Sequence, residues 1–214
     1  MGSLKVFAVV QIRFLILIAT LIHATVGFAA GDPEAGKAQS IVCAACHGQD
    51  GASGIDPSYP NLAGQNERYL FRQLQMIQSN QRAILLMTGQ LIGKSDQDLQ
   101  DLAAYYASLP GKIGQAEGDN RSIATSESIY RSGILRKGVA ACTSCHSPTG
   151  GGNSLAGFPS LSGQSSRYTA AQLTAYREGV RATDEVYGGM MRDVAEGLTD
   201  TEILALADYL QGLH

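Results

Sequence analysis

The sequence predicts an all-α protein built from two small helical domains in tandem. Apolar residues recur at helical spacing in each half of the chain. One set of motifs occurs twice at an offset of 99 residues, and so long a period indicates two globular units because solenoid repeats are shorter. The pentapeptide C-x-x-C-H occurs once in each half and uses all four cysteines, in the strings Cys43 to His47 and Cys142 to His146.

This pentapeptide is typical of covalent haem attachment. Its two thiols can form thioether bonds to a haem, and the adjacent imidazole is then held against the iron. The sequence therefore predicts two covalently bound haem c groups, each wrapped by one domain. The attaching residues are Cys43 and Cys46 in the first half and Cys142 and Cys145 in the second, and the iron ligands are His47 and His146.

Three other uses of a C-x-x-C pair remain as alternatives. Zinc half-sites normally recur about 15 to 20 residues apart, far closer than these two strings. A thioredoxin-like redox pair requires a βαβ context, which neither copy has. A structural disulfide would close a tight ring and would not explain a histidine after both pairs. Haem attachment accounts for all five positions of both strings.

Residues 1–29 resemble a secretory signal peptide. Lys5 gives a positive start, an uninterrupted apolar run covers residues 14–22, and small residues lead to a cleavage site after Ala29. The alternative is an uncleaved anchor, but a membrane span needs roughly 20 apolar residues. We therefore expect export to the periplasm, the kind of compartment in which c-type haem is usually attached.

The charge balance and the positions of the glycines indicate which partners are not expected and where the domains end. Nineteen acidic against 16 basic residues give a net charge of −3, so nucleic acid is not an expected partner. Glycines and mixed charge mark residues 110–122 as a linker. The predicted domains are therefore residues 30–109 and 123–214. Domains this small often need a staple, and a covalently bound porphyrin would provide one.

The elements of the first half can be placed in order. Asp32 and Pro33 predict a helix start, and that helix should run toward Cys43. Residues 48–65 are too rich in glycine and proline for regular structure, and we expect this loop to wrap a haem edge. A second helix should begin at Asn66. A third should begin at Ser95, with Asp98 in its first turn and one apolar face: Leu99, Leu102, Ala103 and Tyr106.

The second half repeats these signals. The turn P-x-L-x-G-Q begins at Pro60 and returns at Pro159, before the offset grows from 99 to 104. Thr199 and Glu202 then form a capping-box sequence ahead of the last helix. Its apolar face repeats that of the first half: Ile203, Leu206 and Ala207.

Methionine is the expected ligand on the second face of each iron. Counting back eight residues from Ser95 and from Thr199 gives Met87 and Met191. Met190 lies one residue out of register and is the weaker candidate, and Met76 has no counterpart and is expected in the core. A thioether favours Fe(II), so both haems should have raised potentials.

Two further pairs of repeated residues have predicted roles near the haems. The carbonyls of Pro60 and Pro159 are candidates to fix the second ring nitrogen of each ligand histidine, the alternative being ordinary turn prolines. Arg82 and Arg181 are candidates to neutralise haem propionates, the alternative being simple surface arginines.

With these residues placed, the chain resembles the dihaem cytochromes c of the cytochrome c4 family. The resemblance covers residues 30–214, through both C-x-x-C-H sites, both P-x-L-x-G-Q turns and the closing Tyr209 to His214. It implies two class I cytochrome c folds packed face to face in the periplasm, often at the membrane surface, passing electrons toward terminal oxidases. It also implies ligand pairs of His47 with Met87 and His146 with Met191.

We therefore predict an electron-transfer protein, not an enzyme, with redox protein partners and no small-molecule substrate. The partners would be a membrane oxidase or an upstream donor complex. One alternative is the dihaem subunit of a flavin-linked dehydrogenase, such as those acting on sulfide. Another is a dihaem peroxidase, which would need one open iron face and is disfavoured by two methionines in matching register.

Overall fold

The structure is a computed structural model that describes residues 30–214, so the predicted signal peptide and its cleavage site lie outside the described residues. Within this range the backbone is helical, with two isolated β-bridges and no named strand. None of its helices is long and apolar enough to cross a membrane. The helices are α1 Pro33–Gln39, α2 Ile41–His47, α3 Glu67–Gln78, α4 Leu85–Thr88, α5 Asp96–Ser108, α6 Asn120–Ser132, α7 Thr143–His146, α8 Ser166–Arg177, α9 Met190–Glu196 and α10 Asp200–Gly212.

The first helix begins where the sequence predicts. The Asp32 carboxylate accepts a hydrogen bond from the backbone N–H of Glu34 at 2.9 Å, and Pro33 takes the first helical position. Ser40 separates α1 from α2, which carries the first C-x-x-C-H. Helix α1 packs against α5 at Gly36, where a Cβ atom would lie 2.0 Å from the Asp101 carbonyl oxygen. Glycine thus permits this close approach.

Helices α3 and α5 form the core of the first domain. The four predicted apolar residues of α5 are all buried, and Leu102, Ala103 and Tyr106 pack against Leu70 of α3. Ser95 and Asp98 form a reciprocal capping box, which satisfies backbone donors at the start of α5. No helix interrupts residues 48–65, as expected from their glycines and prolines.

The second domain has the same arrangement around α8 and α10. The capping box of Thr199 and Glu202 is present at the start of α10. Ile203, Leu206 and Ala207 are buried as predicted, and α10 packs against both α6 and α8. The local signals of the repeat therefore specify equivalent helices in both halves.

The two domains differ ahead of their C-x-x-C-H strings. Helix α6 begins at Asn120, within the last residues of the predicted linker, where the Asp119 carboxylate accepts from the Ser122 N–H at 2.8 Å. A short turn closed by the Ile134–Val139 bridge then separates α6 from Cys142. The first domain has no such turn, since Ser40 alone lies between α1 and α2.

Candidate haem sites

Each C-x-x-C-H histidine is buried and held by a proline carbonyl. His47 ends α2 and His146 ends α7, and each is 6% exposed. The Nδ1 atom of His47 lies 3.1 Å from the Pro60 oxygen, and that of His146 lies 2.9 Å from the Pro159 oxygen. The predicted role of these prolines is confirmed. Because a carbonyl only accepts, Nδ1 carries the ring proton and Nε2 is left with the lone pair that binds a metal.

Burial affects the protonation of both histidines and of one cysteine in each site. Burial lowers the pKa of both histidines, against the opposing effect of the proline carbonyls, so the imidazoles are neutral at neutral pH. Burial raises the pKa of the Cys43 thiol and raises that of Cys142 to about 11. All four cysteines are free.

This donor set fits a c-type haem better than the alternatives. Each domain places two free thiols within one helical turn of a neutral imidazole, as two thioether bonds and one iron ligand require. Over residues 30–214, no group of three or more His, Cys, Asp and Glu side chains is placed to hold a metal ion. The zinc alternative therefore has no support in the described residues.

The candidate methionines lie in comparable positions. Met87 is on α4, half-buried, and packs beside Ile77, Leu91 and Leu99. Met191 is the second residue of α9 and is half-buried, while Met190 is 41% exposed. The assignment of Met87 and Met191 as iron ligands stays a prediction.

The two repeated arginines lie at the contact between the domains. Arg82 donates to Tyr168 Oη at 2.9 Å and to Gln172 Oε1 at 3.0 Å, both in the second domain. Arg181 donates to Tyr69 Oη at 2.9 Å and to Gln73 Oε1 at 3.2 Å, both in the first. Each guanidinium also binds the glutamine of its own domain, so the network has an approximate two-fold symmetry.

These guanidinium groups have uncharged partners. Arg181 is 7% exposed, which rules out a simple surface arginine. In the part of the chain that the structure describes, neither Arg82 nor Arg181 takes part in an ion pair. A buried cation normally requires a counter-charge, and a haem propionate has suitable geometry for guanidinium. The interface contacts of both residues were not predicted, and their role toward the propionates stays a prediction.

Sequence reasoning did not find the function of the two glutamines that end the P-x-L-x-G-Q turns. Gln65 Oε1 accepts from the Ser160 N–H at 2.7 Å, and its Nε2 donates to the Ser160 carbonyl at 2.9 Å. Gln164 binds the backbone of Asn61 in the same way, at 2.8 and 2.9 Å. The recurrence of both glutamines at an offset of 99 residues was the available signal, but it does not reveal that each one reaches into the other domain.

Comparison with known proteins agrees with this geometry. A family model described as cytochrome c matches residues 33–110 and again residues 137–214. The chain is 46% identical over 198 residues to a cytochrome c4 of Pseudomonas aeruginosa, an alignment that covers 92% of this chain and 96% of that protein. A crystal structure of reduced recombinant cytochrome c4 from Pseudomonas stutzeri is 48% identical, with a TM-score of 0.82, and covers 86% of this chain and 100% of that one.

A more distant relative has a different name. The chain is 35% identical over 190 residues to a protein of Thiomonas intermedia called thiosulfate dehydrogenase electron acceptor. That alignment covers 87% of this chain and 83% of the relative. The similarity extends across both domains.

Proposed function

Because the chain belongs to the cytochrome c4 family and carries two covalently bound haem c groups, we propose that it relays single electrons in the periplasm toward a terminal oxidase and catalyses no reaction of its own. The observation that carries the proposal is the matched pair of buried histidines, each at the end of a C-x-x-C-H helix and each fixed by the carbonyl of a proline 13 residues later. Two equivalent sites in one chain suit a relay.

The residues of each site would leave no open position on the iron for a substrate. Haem supplies a reversible one-electron couple between Fe(III) and Fe(II). His47 and Met87 would bind one iron, and His146 and Met191 would bind the other. A soft thioether stabilises Fe(II), which raises the potential and suits delivery of electrons to an oxidase. Ligands held by a packed core limit rearrangement on reduction, which favours fast transfer.

Export to the periplasm is supported by the residues of the amino-terminal segment. Lys5, the apolar run over residues 14–22 and the small residues ending at Ala29 match a cleaved signal peptide. Osmotic-shock fractionation should release the haem-stained protein, and its intact mass should correspond to a chain starting at Ala30 with two haems. A mass that retains residues 1–29 would contradict cleavage.

Oxidase-directed transfer can be tested with the purified, pre-reduced protein. Membranes containing a terminal oxidase should oxidise it with matching consumption of oxygen, and an oxidase inhibitor should stop both processes. The control is the same protein with membranes that lack the oxidase. If oxygen consumption does not depend on the added protein, the oxidase is not its acceptor.

A second candidate function is to accept electrons from a dehydrogenase that oxidises a sulfur compound. The relative named thiosulfate dehydrogenase electron acceptor favours it, since the similarity spans both haem domains. A thiosulfate or flavin-linked sulfide dehydrogenase should then co-purify with the protein and reduce it in the presence of its substrate. Peroxidase activity, the remaining alternative, would appear as peroxide turnover, which two methionine-ligated irons should not support.

A further inference from the structure

The contact between the two P-x-L-x-G-Q turns joins each haem-binding histidine to the opposite domain. The carbonyl of Pro60, which accepts from His47 Nδ1, and the N–H of Asn61 belong to one peptide group. That N–H donates to Gln164 Oε1 at 2.8 Å. A continuous path of two hydrogen bonds therefore runs from His47 through one peptide group to a side chain of the second domain.

The second domain has the reciprocal path. His146 Nδ1 contacts the Pro159 carbonyl, and the N–H of the same peptide group, from Ser160, donates to Gln65 Oε1 at 2.7 Å. The orientation of both glutamine amides is determined, because each oxygen faces N–H groups and each nitrogen faces a carbonyl. Both side chains are buried, so water competes little for these bonds.

Hydrogen bonds that are linked in series through one peptide group strengthen one another. A peptide group whose N–H is bound to an acceptor has a more negative carbonyl oxygen, which accepts more strongly from the histidine. A stronger acceptor at Nδ1 makes the imidazole a better electron donor to a metal at Nε2. Such a donor stabilises Fe(III) over Fe(II) and lowers the potential.

We propose that each domain tunes the haem of the other, Gln164 acting on His47 through the 60–61 peptide group and Gln65 acting on His146 through the 159–160 peptide group. The proposal rests on the proposed function, since it requires both histidines to be iron ligands. Both glutamines are positioning residues, because neither touches the iron. The reduction potential of each haem then depends on the contact between the two domains.

The two hydrogen-bonded paths differ in the number of bonds that the opposite domain makes to Asn61 and to Ser160. On the His47 side, Asn61 adds a third bond across the interface, from its Nδ2 to the Gly163 carbonyl at 2.9 Å. On the His146 side, Ser160 bonds inside its own domain, to the Gly150 carbonyl at 3.3 Å. Two otherwise matched sites thus differ in how tightly the opposite domain holds the peptide group. We expect the potentials of the two haems to respond unequally when the glutamines are replaced.

The test is Gln164→Met in the full two-haem protein, with Gln65→Met as the reciprocal variant. Gln164→Met should raise the potential of the haem bound in the first domain, although the substitution lies in the second. The expected change is up to tenfold in the reduced-to-oxidised ratio at fixed potential, which is about 59 mV for a one-electron couple. Gln65→Met should raise the potential of the other haem.

NMR during stepwise reduction separates the two haems, because the ligand methionines give distinct methyl signals. In the reduced protein, the Nδ1–H proton signal of His47 should also move upfield in Gln164→Met, since its hydrogen bond weakens. Gln211→Met is the matched control. Gln211 likewise accepts from a backbone N–H, of Ser166, and donates to a backbone carbonyl, of Gln115, but it contacts neither histidine-bound peptide group.

Gln211→Met should leave both potentials unchanged. If Gln164→Met shifts the haem of its own domain, shifts both haems equally or shifts neither, the proposal is wrong. If Gln164→Met does not fold with two haems, Gln164→Asn keeps a buried amide but withdraws it from Asn61, and the same crossed shift is expected. A protein that lacks the His/Met spectrum of both haems would instead overturn the proposed function, so the two failures are distinguishable.

Discussion

Leu99→Ala is expected to destabilise the first domain and loosen the support of Met87. Leu99 is 0% exposed and packs in the cluster of Ile77 and Leu91 that Met87 adjoins. Truncating a fully buried leucine costs about 2–5 kcal/mol, because the lost contacts leave a cavity. For a domain of this size, a loss of about 3 kcal/mol corresponds to a fall in the unfolding midpoint on the order of 12–24 °C.

The assay is thermal unfolding of the oxidised protein, followed by far-UV circular dichroism and by the charge-transfer band of His/Met haem. Half of the band should disappear at the lowered midpoint, because only the Met87 site loses its packing. Leu86→Ala is the matched control, since it removes the same carbons from a neighbouring side chain that is 68% exposed. A surface truncation should change stability by less than about 0.5 kcal/mol. Equal midpoints for the two variants would refute the reasoning.

Three further predictions follow from individual contacts. Met87→Ala and Met191→Ala should each remove half of the charge-transfer band of the ferric protein, whereas Met190→Ala should keep all of it. A full band in Met87→Ala or in Met191→Ala would show that another residue binds that iron. Gly36→Ala should destabilise the first domain by about 1–3 kcal/mol in denaturant unfolding, since the new Cβ would meet the Asp101 carbonyl oxygen at 2.0 Å. Gly89→Ala is the control and should leave the stability unchanged, because nothing lies within 4 Å of the new Cβ. Thr199→Ala should cost about 1 kcal/mol through loss of the capping box at α10, and equal stability of variant and wild type would show that the box contributes nothing.

The sequence was a good guide wherever the signal was local. A cap such as Asp32 with Pro33, or Thr199 with Glu202, acts within one helical turn, so its residues predict the helix start directly. The apolar face of α5 is similarly contained in one segment. The proline carbonyls could be predicted because they follow each histidine at the same distance along the chain.

Helix α6 was harder to predict because its buried face is not uniformly apolar. Ser126 is fully buried in the middle of the helix, where a periodic pattern would call for an aliphatic residue. Its hydroxyl has no hydrogen-bond partner among the described residues. The repeat does not predict the bounds of α6 either. The turn ahead of Cys142 displaces α6 from the position that α1 would have after an offset of 99 residues.

Contacts between the domains could not be derived from the residues alone, because periodicity says nothing about which surface of one domain meets the other. The symmetry of the contact nevertheless explains why certain residues repeat. In a two-fold interface one patch meets its own copy, so each residue must serve both sides of the contact. Arg82 with Arg181 and Gln65 with Gln164 satisfy this requirement, since each member of a pair makes the same bonds into the opposite domain.

The repeated residues therefore divide into two groups. The cysteines, the histidines, the prolines and the methionines predicted as ligands lie in the haem site of their own domain, whereas the arginines and glutamines reach across the interface. Residues of the first group would be needed in a single haem domain, but the bonds that the second group makes between domains form only when two domains meet. The interface thus reaches the peptide group that holds each histidine, which is the contact on which the proposed tuning of one haem by the other domain depends.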